Sequence, residues 1–300
     1  MKQKKVNLFL IHNEGTFAKF TLQKLKDFFC IQAFTIIKNK SLKELKNEIY
    51  NLTKKNKFNL ILYISGETKE DSFMKKLNVD LPYFIANICD KNNIPLVYLS
   101  SLSVYGIPRK KSVDVLTKKF PFNNYGKTKH ALDKLLKTNL KDLRFCSIAP
   151  GTIINPYSSK NNLIKNSIQK LSSKPLIWLI KILSPAGNFA CIHIDDLTFV
   201  LLQECINITS NNSMKVYKVF KNCSKKISIY SLVTYISGMK PLFKIFAVPI
   251  QLINFISIFL PKNYIMKLLV YFADIDYKSE CSFPKERDIS EYLIFKKKIE

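Results

Sequence analysis

Residues 97–106 read Val97-Tyr98-Leu99-Ser100-Ser101-Leu102-Ser103-Val104-Tyr105-Gly106, a short apolar run followed by a group of hydroxyl side chains. Residues 125–129 read Tyr125-Gly126-Lys127-Thr128-Lys129, with the spacing Y-x-x-x-K at the start of a predicted helix. Residues four apart on a helix share one face, so the phenol of Tyr125 and the ammonium of Lys129 can serve one site. Because α/β sheets place ligands at the carboxyl ends of their strands, the two segments together indicate a site on a sheet edge.

The chain before residue 150 alternates between strand patterns and helix patterns. The predicted strands are apolar throughout and comprise Val6–Ile11, Ala33–Ile37, Leu60–Ile64, Leu96–Leu99 and Phe145–Ile148. The predicted helices comprise Phe17–Phe29, Ser41–Leu52, Leu81–Asp90 and Tyr125–Leu136. Strands that are apolar on both faces belong to a parallel sheet covered by helices on both sides. The predicted fold class is therefore α/β with a doubly wound parallel sheet.

The pattern becomes less regular after Pro150, where longer apolar segments such as Asn161–Leu183 follow. We predict a core formed by residues 1–155, to which residues 189–220 return. Residues 156–188 and 221–300 are predicted to form a smaller, mainly helical C-terminal lobe that binds the substrate.

The formal net charge of +26 raises the question of a nucleic-acid partner. Only three of the 48 basic residues are arginines, namely Arg109, Arg144 and Arg287, and the lysines are scattered along the whole chain. Proteins that read nucleic acids depend on arginine for bidentate contacts. We therefore predict no specific nucleic-acid partner, and only a weak general attraction to anionic surfaces.

The seven cysteines include no C-x-x-C pair, so neither a metal site nor a redox pair is predicted. Free cysteines in apolar surroundings are typical of a reducing cytoplasm. The apolar stretch Val6–Ile11 is followed at once by polar His12-Asn13-Glu14, which is not the pattern of a signal peptide. The expected location is cytoplasmic.

One apolar segment leaves two interpretations open. The sixteen residues Ile245–Leu260 carry no charge, but they are too few to span a bilayer and include Pro249. A helix in the core or between lobes is the favoured interpretation. The other is a helix lying on a membrane surface, with contact through residues 245–272, since lysines flank the segment at positions 240, 244, 262 and 267.

Several segments, in this order, resemble the extended short-chain dehydrogenase/reductase family, which includes nucleotide-sugar epimerases and dehydratases. The strand that ends in Ser-Ser-x-x-Val-Tyr-Gly matches residues 100–106. The later motif Pro-x-x-x-Tyr-Gly-x-Ser-Lys matches residues 121–129, with Thr128 in place of serine. Weaker similarities cover residues 60–66, 78–79, 147–156 and 189–197.

The resemblance implies a Rossmann-like fold and a catalytic trio. Tyr125 would be the acid/base, Lys129 would adjust the pKa of Tyr125 and bind the cofactor ribose, and Ser101 would hydrogen-bond the reacting oxygen. The implied cofactor is NADP or NAD. Its implied ligands are Asn13, Gly15, Thr16, Phe17, Lys38, Ile64, Ser65, Gly66, Tyr125, Lys129 and Pro150.

The glycine turn of the family is the main departure. The chain has only seven glycines, and Asn13, Thr16 and Lys19 stand where the family has Gly-x-x-Gly-x-x-Gly. Glycine there lets the backbone approach the pyrophosphate. At the end of the second strand, Lys38-Asn39-Lys40 replaces the usual aspartate, which favours the 2′-phosphate of NADP over the diol of NAD.

Two functions remain open at this stage. The first is an NAD(P)-dependent epimerase or 4-ketoreductase that acts on a nucleotide-linked or lipid-linked sugar in surface polysaccharide biosynthesis. The second is a catalytically inactive homologue that serves as a binding or membrane-surface scaffold. The altered glycine turn favours the second, and the intact trio of Ser101, Tyr125 and Lys129 favours the first. A homodimer is left open.

Overall fold

The computed structural model describes residues 5–106, 108–157, 183–184, 187–210, 217–231, 243–244, 248–256, 258–259, 273–288 and 291. The chain divides into two compact units. One comprises residues 1–106, 121–149 and 198–221, and the other comprises residues 107–120, 150–197 and 222–300.

The strands and helices alternate through the first half of the chain. The strands are β1 (Val6–Asn13), β2 (Phe29–Ile36), β3 (Leu60–Tyr63), β4 (Leu96–Leu99), β5 (Ser112–Val113), β6 (Phe145–Pro150), β7 (Thr152–Ile154), β8 (Leu183–Ser184), β9 (Asn188–His193), β10 (Lys218–Cys223), β11 (Lys225–Ser228), β12 (Phe243–Lys244) and β13 (Asp276–Tyr277). The helices are α1 (Thr16–Leu25), α2 (Leu42–Lys55), α3 (Asp71–Lys75), α4 (Leu81–Lys91), α5 (Asn124–Asn139), α6 (Ile194–Ser210) and α7 (Ile250–Ile256). A π-helical turn, Lys76–Asp80, joins α3 to α4, and a 3₁₀ turn, Leu102–Tyr105, follows β4.

The main sheet has six strands in the order β10-β6-β4-β3-β1-β2. β1 pairs in parallel with β2 and β3, β3 with β4, and β4 with β6. Ile11 lies opposite Tyr63, and Tyr63 lies opposite Tyr98. This confirms the predicted doubly wound sheet, and it brings the carboxyl ends of β1, β3 and β4 to one edge.

The sheet is buried because its strands carry apolar side chains on both faces. All residues of β3 and β4 are buried, as are Leu8 to Ile11 of β1. The predicted start of α2 is also confirmed, since the Ser41 hydroxyl accepts a hydrogen bond from Glu44 N at 3.2 Å and Glu44 Oε2 accepts one from Ser41 N at 2.6 Å. The seven cysteines are free, and five of them are buried as small core residues.

The second strand begins earlier than predicted. The helix predicted for Phe17–Phe29 ends at Leu25, and β2 starts at Phe29 rather than at Ala33. Phe29 is buried and pairs with Val6, whereas Phe28 is exposed in the turn between the two elements. Pairing with β1 therefore decides a boundary that local spacing leaves open.

The second unit contains short strands as well as helix. β7, β9 and β11 form a three-stranded sheet, and β5 pairs in parallel with β13. Arg287 binds the first turn of α6, since its Nε donates to Asp196 Oδ1 at 2.9 Å. The predicted segment Asn161–Leu183 lies outside the described residues apart from its last position. Among the described helices, none is long and apolar enough to cross a bilayer.

Gly126 gives the fold a sharp test at the start of α5. A Cβ on Gly126 would lie 2.4 Å from the carbonyl oxygen of Ser103, which is a clash with backbone. We expect Gly126→Ala to lower the unfolding free energy by about 1–3 kcal/mol, measured by thermal and urea unfolding. Gly15→Ala is the matched control, because a Cβ there meets nothing within 4 Å and the backbone is extended at φ 168°. Equal stability of the two variants would contradict the close contact at Gly126.

Candidate active site

The predicted site residues of the first unit lie along one edge of the main sheet. Asn13 ends β1, Ser65 and Gly66 follow β3, and Ser101 follows β4. The amide Nδ2 of Asn13 donates to the carbonyl of Gly66 at 2.9 Å, which joins the first two strand ends directly. The neighbouring positions of β1, β3 and β4 thus assemble residues that are far apart in sequence.

Lys129 reaches this edge from α5. Its side chain is buried, and Nζ donates to the carbonyl of Leu99 at 2.8 Å and lies 3.5 Å from the carbonyl of Ser65. A Cβ on Gly66 would lie only 3.3 Å from that amine, so glycine at position 66 leaves room for it. Burial lowers the pKa of Lys129 to about 7.

Tyr125 lies one helical turn before Lys129, whose Nζ is 5.9 Å from the centre of the Tyr125 ring. Burial of the hydroxyl raises the pKa of Tyr125 to about 12, and a hydrogen bond with Ser101 opposes this rise. The sequence predicts a lowered pKa for this phenol. Here desolvation outweighs the neighbouring amine, which is itself largely neutral above pH 7 because burial disfavours its charge.

Ser101 has a structural contact in addition to its predicted role. Its hydroxyl oxygen accepts hydrogen bonds from Ser103 N at 3.2 Å and from Ser103 Oγ at 3.0 Å, and so caps the 3₁₀ turn. The cap holds Ser101 where the hydroxyl of Tyr125 can bond to it. Ser101, Tyr125 and Lys129 are therefore brought together as one group.

Asn78 is a buried residue that fastens the loop after β3 to α5. Its Oδ1 accepts from Glu67 N at 3.0 Å, and its Nδ2 donates to Glu67 O at 2.9 Å and to Thr128 Oγ1 at 3.1 Å. The hydroxyl of Thr128 in turn donates to the carbonyl of Tyr125 at 2.8 Å. This amide fixes the distance between the Ser65-Gly66 strand end and the catalytic helix.

Asp133 is the residue near the site that sequence reasoning missed. It follows Lys129 by four residues on the same face of α5 and is buried. Its carboxyl accepts hydrogen bonds from the hydroxyls of Tyr98, of Ser100 at 3.3 Å and of Ser147 at 3.2 Å. An acidic residue two turns after Tyr125 in a buried helix face was the available signal. The contacts tie α5 to β4 and β6 beside Ser101.

The start of α1 is the predicted pyrophosphate seat. Gly15 and Thr16 are exposed, Phe17 is half-buried, and no side chain caps the helix. The first turn carries no acidic residue, and the space beside Gly15 is open. Free N–H groups at a helix start attract phosphate, so the residues present fit a dinucleotide even with Asn13 and Thr16 in place of glycine.

Lys38 lies just beyond β2 and is exposed. Its ammonium forms an ion pair with Glu70, which raises the pKa of Lys38. Its neighbour Lys40 pairs with Glu48 at 2.5 Å. A ligand phosphate at Lys38 would have to compete with Glu70. Such exposed pairs are weak, so the lysine remains available to a doubly charged group.

The remaining predicted cofactor residues are Ile64 and Pro150. Ile64 is buried directly after β3, and its N–H donates to the carbonyl of Ile11 at 3.0 Å. Pro150 ends β6 and belongs to the second unit. Among the described residues, no group of three His, Cys, Asp or Glu side chains is placed to hold a metal ion.

The sequence profile of the NAD dependent epimerase/dehydratase family matches residues 59–215, which is more than half of the chain. The chain therefore belongs to this family of NAD-dependent enzymes. The match confirms the family and enzyme class predicted from the sequence, and the family's name carries the predicted nicotinamide cofactor. No curated protein sequence gives a significant match.

Solved structures with the same fold include WbmG of Bordetella bronchiseptica in complex with NAD, with a TM-score of 0.61, 12% identity and coverage of 94% of this chain and 100% of that one. The dTDP-4-dehydrorhamnose reductase of Bacillus anthracis in complex with NADP has a TM-score of 0.57, 16% identity and coverage of 80% and 84%. The ADP-L-glycero-D-manno-heptose-6-epimerase of Helicobacter pylori has a TM-score of 0.53, 14% identity and coverage of 81% and 87%. At these identities the likeness concerns the fold, and it confirms the predicted fold class.

The buried carboxyl of Asp133 predicts a pH-dependent stability. Burial raises its pKa from 3.8 to about 8, against the opposing hydrogen bond from Ser147. Between these values the folded state holds a proton that the unfolded state releases, so this group lowers stability as pH rises, by at most about 1.4 kcal/mol per pH unit. Asp133→Asn removes the effect.

We therefore expect the Tm of Asp133→Asn, relative to the unmodified protein, to increase steadily from about pH 4 to about pH 8. Calorimetry over a pH series measures this difference. Asp142→Asn, at an exposed aspartate, is the control and should show a flat difference. A flat profile for Asp133→Asn would mean that the buried carboxyl is ionised in the folded protein.

Proposed function

We propose that the chain is an NAD(P)-dependent epimerase or 4-ketoreductase that acts on a nucleotide-linked or lipid-linked sugar in surface polysaccharide biosynthesis. The observation that carries this proposal is the joint placement of Ser101, Tyr125 and Lys129 at the ends of β3 and β4. Lys129 is buried for this placement at the cost of desolvating an amine. A protein that serves only as a scaffold has no evident use for such an arrangement.

The residues divide the work of proton transfer at a sugar oxygen. The hydroxyl of Tyr125 donates its proton to, or accepts one from, the oxygen on the reacting carbon. Ser101 hydrogen-bonds the same oxygen and holds it beside the phenol. When Lys129 is protonated, its charge stabilises the phenolate and lowers the pKa of Tyr125. A nicotinamide dinucleotide bound at this edge supplies or accepts the hydride.

The chain's own residues supply a place for each part of the cofactor. Ile64, Ser65 and Gly66 offer backbone at the end of β3 for the nicotinamide side, and Lys129 offers its amine to the ribose. Gly15, Thr16 and Phe17 lie at the start of α1, where the open space beside Gly15 suits the pyrophosphate. Pro150 completes the predicted set.

The substrate class is supported by two lines of reasoning. The structures that share the fold include enzymes named for dTDP- and ADP-linked sugars, and WbmG is also known in complex with UDP. Within the chain, Leu102-Ser103 follows Ser101, where family dehydratases place an Asp-Glu pair. The absence of that pair favours epimerisation or ketone reduction over dehydration.

Replacing Tyr125 by Phe tests the catalytic role. We expect turnover of a sugar-nucleotide substrate to fall by roughly 10²–10⁴-fold, because the proton donor is lost, while NADPH binding by nicotinamide fluorescence is unchanged. Tyr83→Phe is the control, since it removes a hydroxyl on α4 that only accepts from Asn139 at 3.3 Å. Full activity of Tyr125→Phe would remove this residue from the mechanism.

The coenzyme preference depends on Lys38. We expect Lys38→Asp to weaken NADPH binding roughly tenfold, because a charged hydrogen bond to the 2′-phosphate is lost, and to leave NADH binding unchanged. Glu70→Gln should have the opposite effect, since it frees Lys38 from its ion pair. Lys43→Asp, an exposed charge reversal on α2, is the control. Equal responses of NADH and NADPH would argue against a 2′-phosphate contact.

Titration of the purified protein with NADH and NADPH separates the enzyme from an inactive homologue. Saturable binding of either coenzyme supports the enzyme. Binding of neither, by a protein that unfolds cooperatively, would overturn the proposal, because it would mean that the altered glycine turn has closed the cofactor site.

A further inference from the structure

Helix α7 carries apolar residues on two opposite sides. Ile250 and Ile253 are buried within the second unit. On the opposite side Leu252 is 48% exposed and Phe255 is 62% exposed, and the turn after the helix adds Ile258 at 74% and Phe259 at 73%. We call Leu252, Phe255, Ile258 and Phe259 the outer apolar stripe.

The outer apolar stripe is continuous rather than a scatter of single residues. Leu252 and Phe255 are three residues apart on the helix, and the rings of Phe255 and Phe259 contact edge to face with centroids 5.8 Å apart. A helix that packs on its own domain buries one apolar side and exposes polar residues on the other. The core-helix interpretation therefore explains Ile250 and Ile253 but leaves the stripe unexplained. Exposed apolar patches of this kind mark interaction surfaces.

Charge identifies the partner that fits this surface. Between Glu204 and Asp274 the sequence has nine lysines and no acidic residue. Lys111 lines the same surface depression as Pro249 and Ile250 at the start of α7. Asp274, in the same depression, forms ion pairs with both Lys111 and Lys226, so two cations accompany one anion there.

We propose that the outer apolar stripe inserts into the headgroup region of an anionic lipid surface, with the surrounding lysines paired to the lipid phosphates. Apolar residues beside basic ones, in a helix too short to span, are the combination that binds a membrane interface. A second copy of the chain is the less suitable partner. Each copy carries a net charge of +26, and the two would repel.

This surface is independent of the proposed reaction, because none of its residues belongs to the sheet edge that holds Tyr125 and Lys129. Attachment would bring the chain to the surface where lipid-linked sugars are held, which is one of the two proposed substrate classes.

Co-sedimentation of the full-length protein with vesicles tests the proposal. One set of vesicles contains phosphatidylcholine alone, and the other contains phosphatidylcholine with phosphatidylglycerol. We expect binding to the anionic set, and at least a tenfold weaker partition for the triple variant Leu252→Ser, Phe255→Ser, Phe259→Ser, since apolar area contributes to interfacial binding. Leu116→Ser, at a residue 90% exposed elsewhere in the second unit, should bind like the unmodified protein.

A spectroscopic test reports insertion itself. The fluorescence of Phe255→Trp should be quenched by lipids with brominated acyl chains more strongly than that of Leu116→Trp. Circular dichroism and an NADPH titration on each variant show that the fold and the cofactor site are intact, so the result does not depend on the proposed enzyme activity.

Three outcomes would overturn the proposal. The unmodified protein stays in the supernatant with anionic vesicles. Or the triple variant sediments as well as the unmodified protein, which would mean that net charge alone binds the vesicles. Or sedimentation velocity without lipid shows a dimer that the triple variant abolishes, which would mean that a second copy covers the stripe.

Discussion

The contact between the buried amine of Lys129 and the carbonyl of Leu99, at 2.8 Å, is the interaction on which the arrangement of the site depends. It ties the catalytic helix α5 to the end of β4. Removing an amine from water is costly unless it is hydrogen-bonded, so the sheet edge must present carbonyls where Nζ arrives. Gly66 is part of the same constraint, because any side chain there would press on the amine.

A second set of contacts supports that one from behind. Asp133 accepts from hydroxyls on β4 and β6, and Asn78 binds the loop after β3 to Thr128 on α5. Both side chains are buried and neither is placed to touch a substrate at the edge. They act by holding α5 in register with the strand ends. Buried polar groups that are hydrogen-bonded on several sides make an arrangement rigid, which suits a site that must hold one oxygen between two hydroxyls.

The two ends of the predicted cofactor site differ in how they are built. The end near Lys129 is tightly constrained, with buried side chains and direct contacts between strand ends. The end near α1 is exposed, and its turn contains Asn13 and Thr16 where the family has glycine. Asn13 compensates in part by bonding to the carbonyl of Gly66 at 2.9 Å, which links the altered turn to the constrained end. The family membership and the unusual turn are therefore compatible in one structure.

The sequence by itself determined the sheet, the family and the catalytic trio. The apolar strands, the capping box at Ser41 and the spacing from Ser101 to Lys129 are local patterns, and local patterns survive without knowledge of the partners. It also singled out residues 245–272, although it could not tell a buried side from an exposed one.

Only the tertiary structure decided which distant groups meet. The early start of β2 at Phe29 depends on its pairing with Val6, and the role of Asp133 depends on hydroxyls from Tyr98, Ser100 and Ser147. The raised pKa of Tyr125 reflects burial, whereas its sequence neighbour Lys129 had suggested a lowered one. Pairing, burial and desolvation are properties of the packed chain, because each depends on residues that are remote in sequence.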